Sequence, residues 1–165
     1  MTHRGYTGGV DMIVLAVDPG KATGVALISW DREAEEEPEL NYSCEVQPEE
    51  FAQEIQAGLG FLKHKEPLYV ACESFIINAQ TVRNSQAPYS LEQIGVLKHL
   101  CREAGYDPEN IAFQPPVNAK NMFPNKTLKK LDMWHKGGEG HALDAIRHGL
   151  LRLVKAGWKP TKVLE

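Results

Sequence analysis

Short apolar runs separated by turn residues mark the first part of the chain. Apolar residues dominate Met12 to Asp18, Gly24 to Trp30 and Leu40 to Val46, and glycine, proline and an acidic stretch separate these runs. Runs of this length and spacing are typical of β-strands joined by turns. The sequence therefore predicts an antiparallel three-stranded meander at the start of the fold.

The pattern then changes to helices that alternate with short strands. Helices are predicted for Pro48 to Lys65, Ser90 to Ala104, near Lys126, and about Glu139 to Ala156, and strands for Leu68 to Cys72 and Asn110 to Gln114. A capping box, Ser90-Leu-Glu-Gln93, is expected to begin the second of these helices. We predict an α/β fold: a mixed five-stranded sheet, with three antiparallel strands followed by βαβ units and with helices on both faces.

One domain is expected from the length and composition. The chain has 165 residues, of which 42% are hydrophobic and 24% charged, as in ordinary globular domains. We place this domain at residues 12–156, between a flexible leader at 1–11 and a C-terminal tail at 157–165. Three widely spaced cysteines without a CxxC motif indicate neither disulfides nor a zinc site, and fit a reducing cytoplasm. No apolar run exceeds six residues, so we expect no membrane partner.

The net charge of −4 argues at first against a nucleic-acid partner. The charge is unevenly distributed, however. Residues 1–114 contain 8 basic and 18 acidic side chains, whereas residues 115–165 contain 10 basic and 4 acidic ones. Such an asymmetry indicates contact between the last third of the chain and a polyanion.

Two acidic residues stand where predicted strands end. Asp18 closes the first strand and is followed by Pro-Gly, and Glu73 closes the strand LYVACE. Open α/β sheets bind their ligands beyond the carboxyl ends of the strands. Each residue alone also has an ordinary explanation, because Asp-Pro-Gly is a common turn and a glutamate just past a strand is commonly solvated.

A late helix adds further candidate ligands. In GHALDAIRH, His141 and Asp144 are three residues apart and His148 lies one turn further, so all three share one helix face. A His/Asp pair is also common on solvated helices. Together with Asp18 and Glu73, however, His141 and Asp144 form an oxygen-rich set with one nitrogen, which favours Mg²⁺ or Mn²⁺. Two such ions would support phosphodiester hydrolysis.

The runs VDPGKATGVALI, VACESF and GHALDAIRHGLL resemble those of the RuvC-type Holliday junction resolvases, in the RNase H-like superfamily. The phage-encoded branch is the most similar in its compact length, and it would act in the host cytoplasm. The resemblance implies a structure-selective endonuclease for branched DNA with two ions, Mg²⁺ or Mn²⁺, per site. Asp18, Glu73, His141 and Asp144 would be the metal-binding catalytic set, with His141 either a ligand or the general base.

The resemblance also implies residues that contact the substrate. Lys120 and Lys126 occupy places similar to the family's phosphate-binding lysines, and Phe75 is the candidate for an aromatic wedge between bases. A solvated helix face and a core position, respectively, are the alternatives for Lys126 and Phe75. Lys120 is expected to stabilise charge on the phosphate in the transition state.

Further DNA contacts are expected from the charge pattern. Arg83 lies in a polar segment with amide side chains suited to sugar-phosphate contacts, and Lys129 and Lys130 belong to the basic last third. The lysines could equally form a solvated helix face. Two symmetry-related cuts require two sites, so we expect a homodimer. Helix 90–104 is apolar on more than one face, which fits a dimer contact or burial within one domain.

Other functions remain open from the sequence. An RNase H-like nuclease of different specificity, such as a YqgF-like RNA-processing enzyme or a less selective DNase, would keep the same carboxylates. A non-catalytic DNA-binding module would keep the fold without cleavage. Comparing cleavage of branched DNA, linear duplex and structured RNA separates these possibilities.

Overall fold

In the part of the chain that the structure describes, five strands form a single sheet that five α-helices cover. The computed structural model describes residues 12–34, 36–62, 68–81, 83, 87–136 and 140–160, and the expected leader at 1–11 and the end of the expected tail lie outside these ranges. The strands are β1 Met12–Asp18, β2 Thr23–Trp30, β3 Glu39–Val46, β4 Leu68–Glu73 and β5 Ala112–Gln114. The helices are α1 Pro48–Leu62, α2 Ala87–Glu103, α3 Pro116–Met122, α4 Asn125–Lys130 and α5 Gly140–Lys155.

The sheet has the order β3-β2-β1-β4-β5. β2 pairs antiparallel with both β1 and β3. On the other side of the sheet, β4 pairs parallel with β1, and β5 pairs parallel with β4. This arrangement confirms the predicted mixed five-stranded sheet. Because β1 is the central strand and is covered on both faces, all seven of its residues are buried.

The two faces of the sheet belong to two hydrophobic cores. Val14 and Ala16 of β1 contribute to the core that contains α5, α3 and α4 residues. Leu15 and Val17 point to the opposite face and contribute to the core formed with α1 and α2. The alternation follows from the two-residue period of a strand, and it confirms helices on both faces. No described helix has the length and apolar character needed to cross a bilayer.

The start of α2 differs from the prediction. The helix begins at Ala87, three residues before the expected capping box, and Ser90 lies inside its first turn. The Ser90 hydroxyl donates a hydrogen bond to the Pro19 carbonyl oxygen at 3.0 Å. The capping-box prediction was therefore wrong, because the serine joins α2 to the turn after β1.

Two further differences concern the segment after β4. Asn110 belongs to a short 3-10 turn, so β5 begins only at Ala112. No helix was predicted directly after β5, whereas Pro116 is the first residue of α3. Proline is compatible with that position. The N–H groups in the first turn of a helix have no acceptor within the helix, so the absence of an N–H in proline costs no hydrogen bond there.

Trp158 packs into the fold beyond α5. It is buried and its ring stacks on Phe123, with 5.9 Å between the ring centroids. The packed fold thus includes part of the segment that was expected to be a tail.

Candidate active site

A polar cavity lies at the carboxyl ends of β1 and β4. Its volume is about 200 Å³, and its lining residues come from both strand ends, from α2, α3 and α5, and from the segment after β4. They are Asp18, Pro19, Glu73, Ser74, Phe75, Thr81, Ser90, Lys120, His141 and Asp144. The four residues expected to bind metal therefore line one cavity, together with Lys120 and Phe75.

Strand register brings the first two acids together. β1 and β4 are parallel neighbours, and Val17 pairs with Cys72. Asp18 and Glu73 are the next residues along each strand, so they end side by side at the same edge of the sheet. This edge is where open α/β sheets place their ligands.

The first turn of α5 is fixed over this edge by a residue from β3. The Glu45 carboxylate accepts a hydrogen bond from the backbone N–H of His141 at 3.2 Å. The first N–H groups of a helix have no partner within the helix, and a carboxylate there is also favoured by the helix dipole. Glu45 thereby fixes the helix end that carries His141 and Asp144.

Each of the three acids bonds a side chain of α5. Asp18 Oδ2 lies 2.7 Å from His141 Nδ1, and Glu73 Oε2 lies 3.0 Å from His148 Nε2. The third acid, Asp144, accepts from Arg147 Nη1 at 2.6 Å and from Lys120 Nζ at 2.9 Å. One helix thus contacts the complete set of carboxylates.

Burial and mutual repulsion perturb the ionisation of these groups. Burial raises the pKa of Asp18 to about 6, the charges of Glu73 and Asp144 add to the rise, and the hydrogen bond from His141 opposes it. The bond to Asp18 raises the pKa of His141, and the bond to Asp144 raises the pKa of Lys120. The neighbouring carboxylates repel one another, as the raised pKa of Asp18 indicates. A cation bound between them would reduce this repulsion and stabilise their ionised forms.

The donor set fits a hard divalent cation in chemistry. Three carboxylates and one imidazole line the cavity, and Mg²⁺ and Mn²⁺ prefer oxygen ligands. Among the residues that the structure describes, no three His, Cys, Asp or Glu side chains are grouped closely enough to hold an ion as they stand. The carboxylates bond protein partners instead, so a cation must compete with these partners for Asp144 and Glu73 in particular.

Solved structures share this architecture. The structure of Thermus thermophilus RuvC superposes with a TM-score of 0.65 at 19% identity, over 88% of this chain and 95% of that one. The same protein in complex with a Holliday junction substrate gives a TM-score of 0.63 at 19% identity, over 88% and 96%. The fowlpox virus Holliday junction resolvase gives 0.54 at 14% identity, over 87% and 99%. This chain has the RuvC fold. No protein-family model matches it, and neither does any curated protein sequence.

Within this RuvC fold, the other expected DNA contacts do not line the cavity. Arg83 is exposed in a turn, and Lys126, Lys129 and Lys130 are exposed on α4. Lys129 Nζ lies 4.4 Å from the centroid of the Trp134 ring. Contact of these four side chains with DNA stays a prediction.

Three residues that hydrogen-bond Asp144, His141 or His148 were not identified in that role from the sequence. Arg147 and Glu45 were not considered, and Gln114, which contacts His148, was assigned only to a strand. Arg147 carries a usable signal, since it follows Asp144 by three residues on a helix, a spacing that allows ion pairing. Glu45 and Gln114 carry none, because their partners are distant in the sequence.

Proposed function

We propose that this protein is a metal-dependent, structure-selective endonuclease that cleaves branched DNA such as Holliday junctions. The observation that carries the proposal is the convergence of Asp18, Glu73 and Asp144 on one cavity that also contains Lys120. The RuvC fold supports it, because T. thermophilus RuvC and the fowlpox virus resolvase were each solved with Holliday junction DNA.

Asp18, Glu73 and Asp144 would hold two divalent ions, Mg²⁺ or Mn²⁺. Bound there, the ions would supply an activated water and stabilise the leaving oxygen of the phosphodiester. Asp18 is nearly inaccessible, with 5% of its side chain exposed, whereas 22% of Glu73 and 15% of Asp144 are exposed. Asp18 is therefore the most deeply placed of these ligands.

Among the residues that the structure describes, His141 has a hydrogen-bond partner at one ring nitrogen only. Its Nδ1 bonds Asp18, which fixes the ring plane and leaves Nε2 as the nitrogen that can bind an ion or accept a proton. Of its side chain, 38% is exposed, which suits a group that meets water or substrate. Both roles, ligand and general base to the attacking water, use this same nitrogen.

Lys120 is the group best suited to bind the scissile phosphate. It lines the cavity, yet 55% of its side chain is exposed, so it can leave Asp144 for a substrate oxygen without a large desolvation change. The bond to Asp144 raises its pKa, so it carries a positive charge at neutral pH. A cation there would stabilise charge that develops on the phosphate.

The wider DNA contact would use surfaces beside the cavity. Phe75 lines the cavity, and Ile76 and Ile77 next to it are exposed, so this segment presents apolar side chains on which unstacked bases could pack. Arg83 follows in the same segment. The exposed lysines of α4 (Lys126, Lys129 and Lys130) would contact phosphates.

Cleavage of a junction on two related strands requires a second active site, and we propose a homodimer. Along α2, Leu97 and Leu100 are buried in the core of one chain, whereas Leu91 is 44% exposed. The exposed side of α2 around Leu91 is the surface that we propose for the dimer contact.

Substitution of Asp18 tests the assignment of the site. The Asp18→Asn variant should bind a four-way junction like the wild type and fail to cleave it in Mg²⁺ or Mn²⁺. The amide keeps the size of the side chain and removes the charge on which a cation depends. Unchanged cleavage by this variant would show that the catalytic site lies elsewhere.

A further inference from the structure

His148 is a fully buried histidine that bridges three elements. Only 1% of its side chain is exposed, and it does not line the cavity. From α5 it places Nε2 at 3.0 Å from Glu73 Oε2 on β4 and Nδ1 at 2.9 Å from Gln114 Oε1 on β5. A buried imidazole with both nitrogens engaged has a fixed ring orientation.

The direction of the bond to Glu73 follows from chemistry. An ionised carboxylate only accepts hydrogen bonds, so Nε2 carries a proton and donates it. Since Gln114 Oε1 is also an acceptor, the bond to Gln114 requires either a second ring proton on Nδ1 or, for a neutral ring, the turned amide, whose nitrogen has no other partner among the described residues and would donate to Nδ1. This bond occupies Glu73 Oε2 and turns the carboxylate so that Oε1 is the oxygen left for another ligand. The side chain of Glu73 has several rotatable bonds, and without this donor nothing else described in the structure fixes its orientation by hydrogen bonding.

Gln114 anchors the ring from the far side. Its side chain is fully buried, and its backbone carbonyl oxygen also accepts from the N–H of Ser74, the residue after Glu73, at 2.8 Å. Gln114 therefore holds both the imidazole and the backbone beside the carboxylate. Glu73, His148 and Gln114 form a continuous hydrogen-bonded chain that ends in the cavity.

We propose that His148 is a positioning residue that presents one oxygen of Glu73 to the divalent cation. This inference rests on the proposed function, since it assumes that Glu73 binds metal. Groups that orient a metal ligand in this way commonly change metal affinity by about 10- to 100-fold when removed. The alternative is a residue that only fills the space between α5 and the sheet.

Two amide substitutions separate these roles. In His148→Gln the amide nitrogen can reach the place of the Nε2 donor, so the bond to Glu73 can be kept. In His148→Asn the shorter amide reaches only the place of Nδ1, so the bond to Gln114 can be kept and the bond to Glu73 is lost. Both variants leave a similar polar group in the same space.

The readout is the affinity of the full chain for Mn²⁺ alone, measured by isothermal titration calorimetry without DNA. We expect His148→Asn to bind Mn²⁺ at least about 10-fold more weakly than the wild type, and His148→Gln to stay within about 3-fold of it. Equal affinities for the wild type and both variants would overturn the proposal. So would equal losses in the two variants that parallel their losses in thermal stability, since that result indicates space filling.

Two additions make each result decisive. If His148→Asn does not fold, Gln114→Met replaces it, because this variant keeps the histidine and removes its second anchor; an unchanged Mn²⁺ affinity would then contradict the positioning role. Wild type and Glu73→Gln are titrated alongside. If the wild type binds Mn²⁺ and Glu73→Gln does not, the proposed metal site is supported. Unchanged Mn²⁺ affinity in the His148 variants would then contradict only the positioning role of His148. A wild type that does not bind Mn²⁺ would overturn both proposals.

Discussion

The backbone of Gly24 on β2 is in direct contact with the carbonyl group of His141 on α5. A Cβ built at position 24 would lie 1.8 Å from the backbone carbonyl oxygen of His141. This distance is much shorter than any real contact of a Cβ atom, so only glycine fits at this position. Gly24 also pairs with Asp18 across the β1–β2 ladder. The absence of a side chain at Gly24 therefore allows the first turn of α5 to pack directly against β2, next to Asp18.

Gly24→Ala should displace α5 from the sheet. The added methyl group meets backbone atoms, which cannot rotate away, so we expect a loss of about 3 kcal/mol or more in the free energy of unfolding and strongly reduced Mn²⁺ binding. Gly60→Ala is the control, because a Cβ built there has no described atom within 4 Å apart from its chain neighbours and the backbone of its own helix. Urea unfolding measures both, and the control should be neutral or slightly stabilising. A Gly24→Ala protein as stable as the control would contradict the close contact.

Removal of the Asp18 charge should stabilise the metal-free protein. Because burial raises the pKa of Asp18 to about 6, the folded protein holds this proton between about pH 4 and pH 6, where the unfolded chain has released it. The contribution of Asp18 to stability therefore falls as the pH rises through this window. The Asp18→Asn variant has no carboxylate to ionise, so its stability does not fall in this window, and it should melt several degrees higher than the wild type at pH 7.

Melting temperatures measured from pH 4 to pH 8 in a chelator check this expectation. The matched control is Asp132→Asn, since Asp132 is exposed and its positive φ is one that asparagine tolerates. The control should follow the wild-type pH profile. An Asp18→Asn protein that melts below the wild type at pH 7 would show that the buried charge does not oppose folding.

The carboxylates at the strand ends could be predicted from the sequence, whereas their partners could not. Asp18 and Glu73 each follow a buried apolar run, and parallel strands bring such residues to the same edge. His148 was placed on the correct helix face, but its bond to Glu73 depends on how α5 is rotated against the sheet, which periodicity alone does not define.

The errors in the sequence prediction have a similar origin. Ser90 has the residue pattern of a helix cap, yet its hydroxyl bonds Pro19 across 71 residues, so a tertiary contact outweighed the local one. The helix at Pro116 was missed because two adjacent prolines indicate a break, although the second is acceptable at a helix start. Local sequence patterns therefore predicted most of the helices and strands, whereas the hydrogen bonds between side chains depend on how these elements pack against each other.

Arg147 is expected to be the main structural partner of Asp144. It is buried, donates to Asp144 Oδ1 at 2.6 Å and to the Phe123 carbonyl oxygen at 2.8 Å, and also bonds Asn125. Arg147→Met leaves the Asp144 charge without this partner, which for a buried pair costs about 3 kcal/mol or more.

Chemical unfolding of Arg147→Met is best compared with Arg152→Met. Arg152 lies on the same helix over the ring of Tyr69, with 4.3 Å from its Cζ to the ring centroid, and its loss should cost about 1 kcal/mol. Similar losses for the two variants would mean that the bonds of Arg147 add little to stability.

Lys120→Met should separate metal binding from cleavage. The ammonium group competes with a cation for Asp144 Oδ2, so its removal should leave the Mn²⁺ affinity unchanged or increase it. Cleavage should nevertheless fall by about 100-fold or more, because the phosphate loses a positive partner in the transition state. Calorimetry and single-turnover cleavage measure the two effects.

The control for this variant is Lys155→Met, which removes an exposed lysine from the last turn of α5. It should behave like the wild type in both measurements. A parallel loss of Mn²⁺ binding and cleavage in Lys120→Met would place the lysine in a purely structural role.

Cleavage of a panel of defined substrates tests whether this protein is a metal-dependent nuclease selective for branched DNA. The wild-type protein is incubated with a four-way DNA junction, a flap, a linear duplex built from the same sequences, and a structured RNA, each with Mg²⁺, with Mn²⁺ and with chelator. We expect metal-dependent cleavage of the junction well above that of the duplex, and none in chelator. Equal cleavage of junction and duplex, preference for RNA, or junction binding without cleavage in either metal would contradict it.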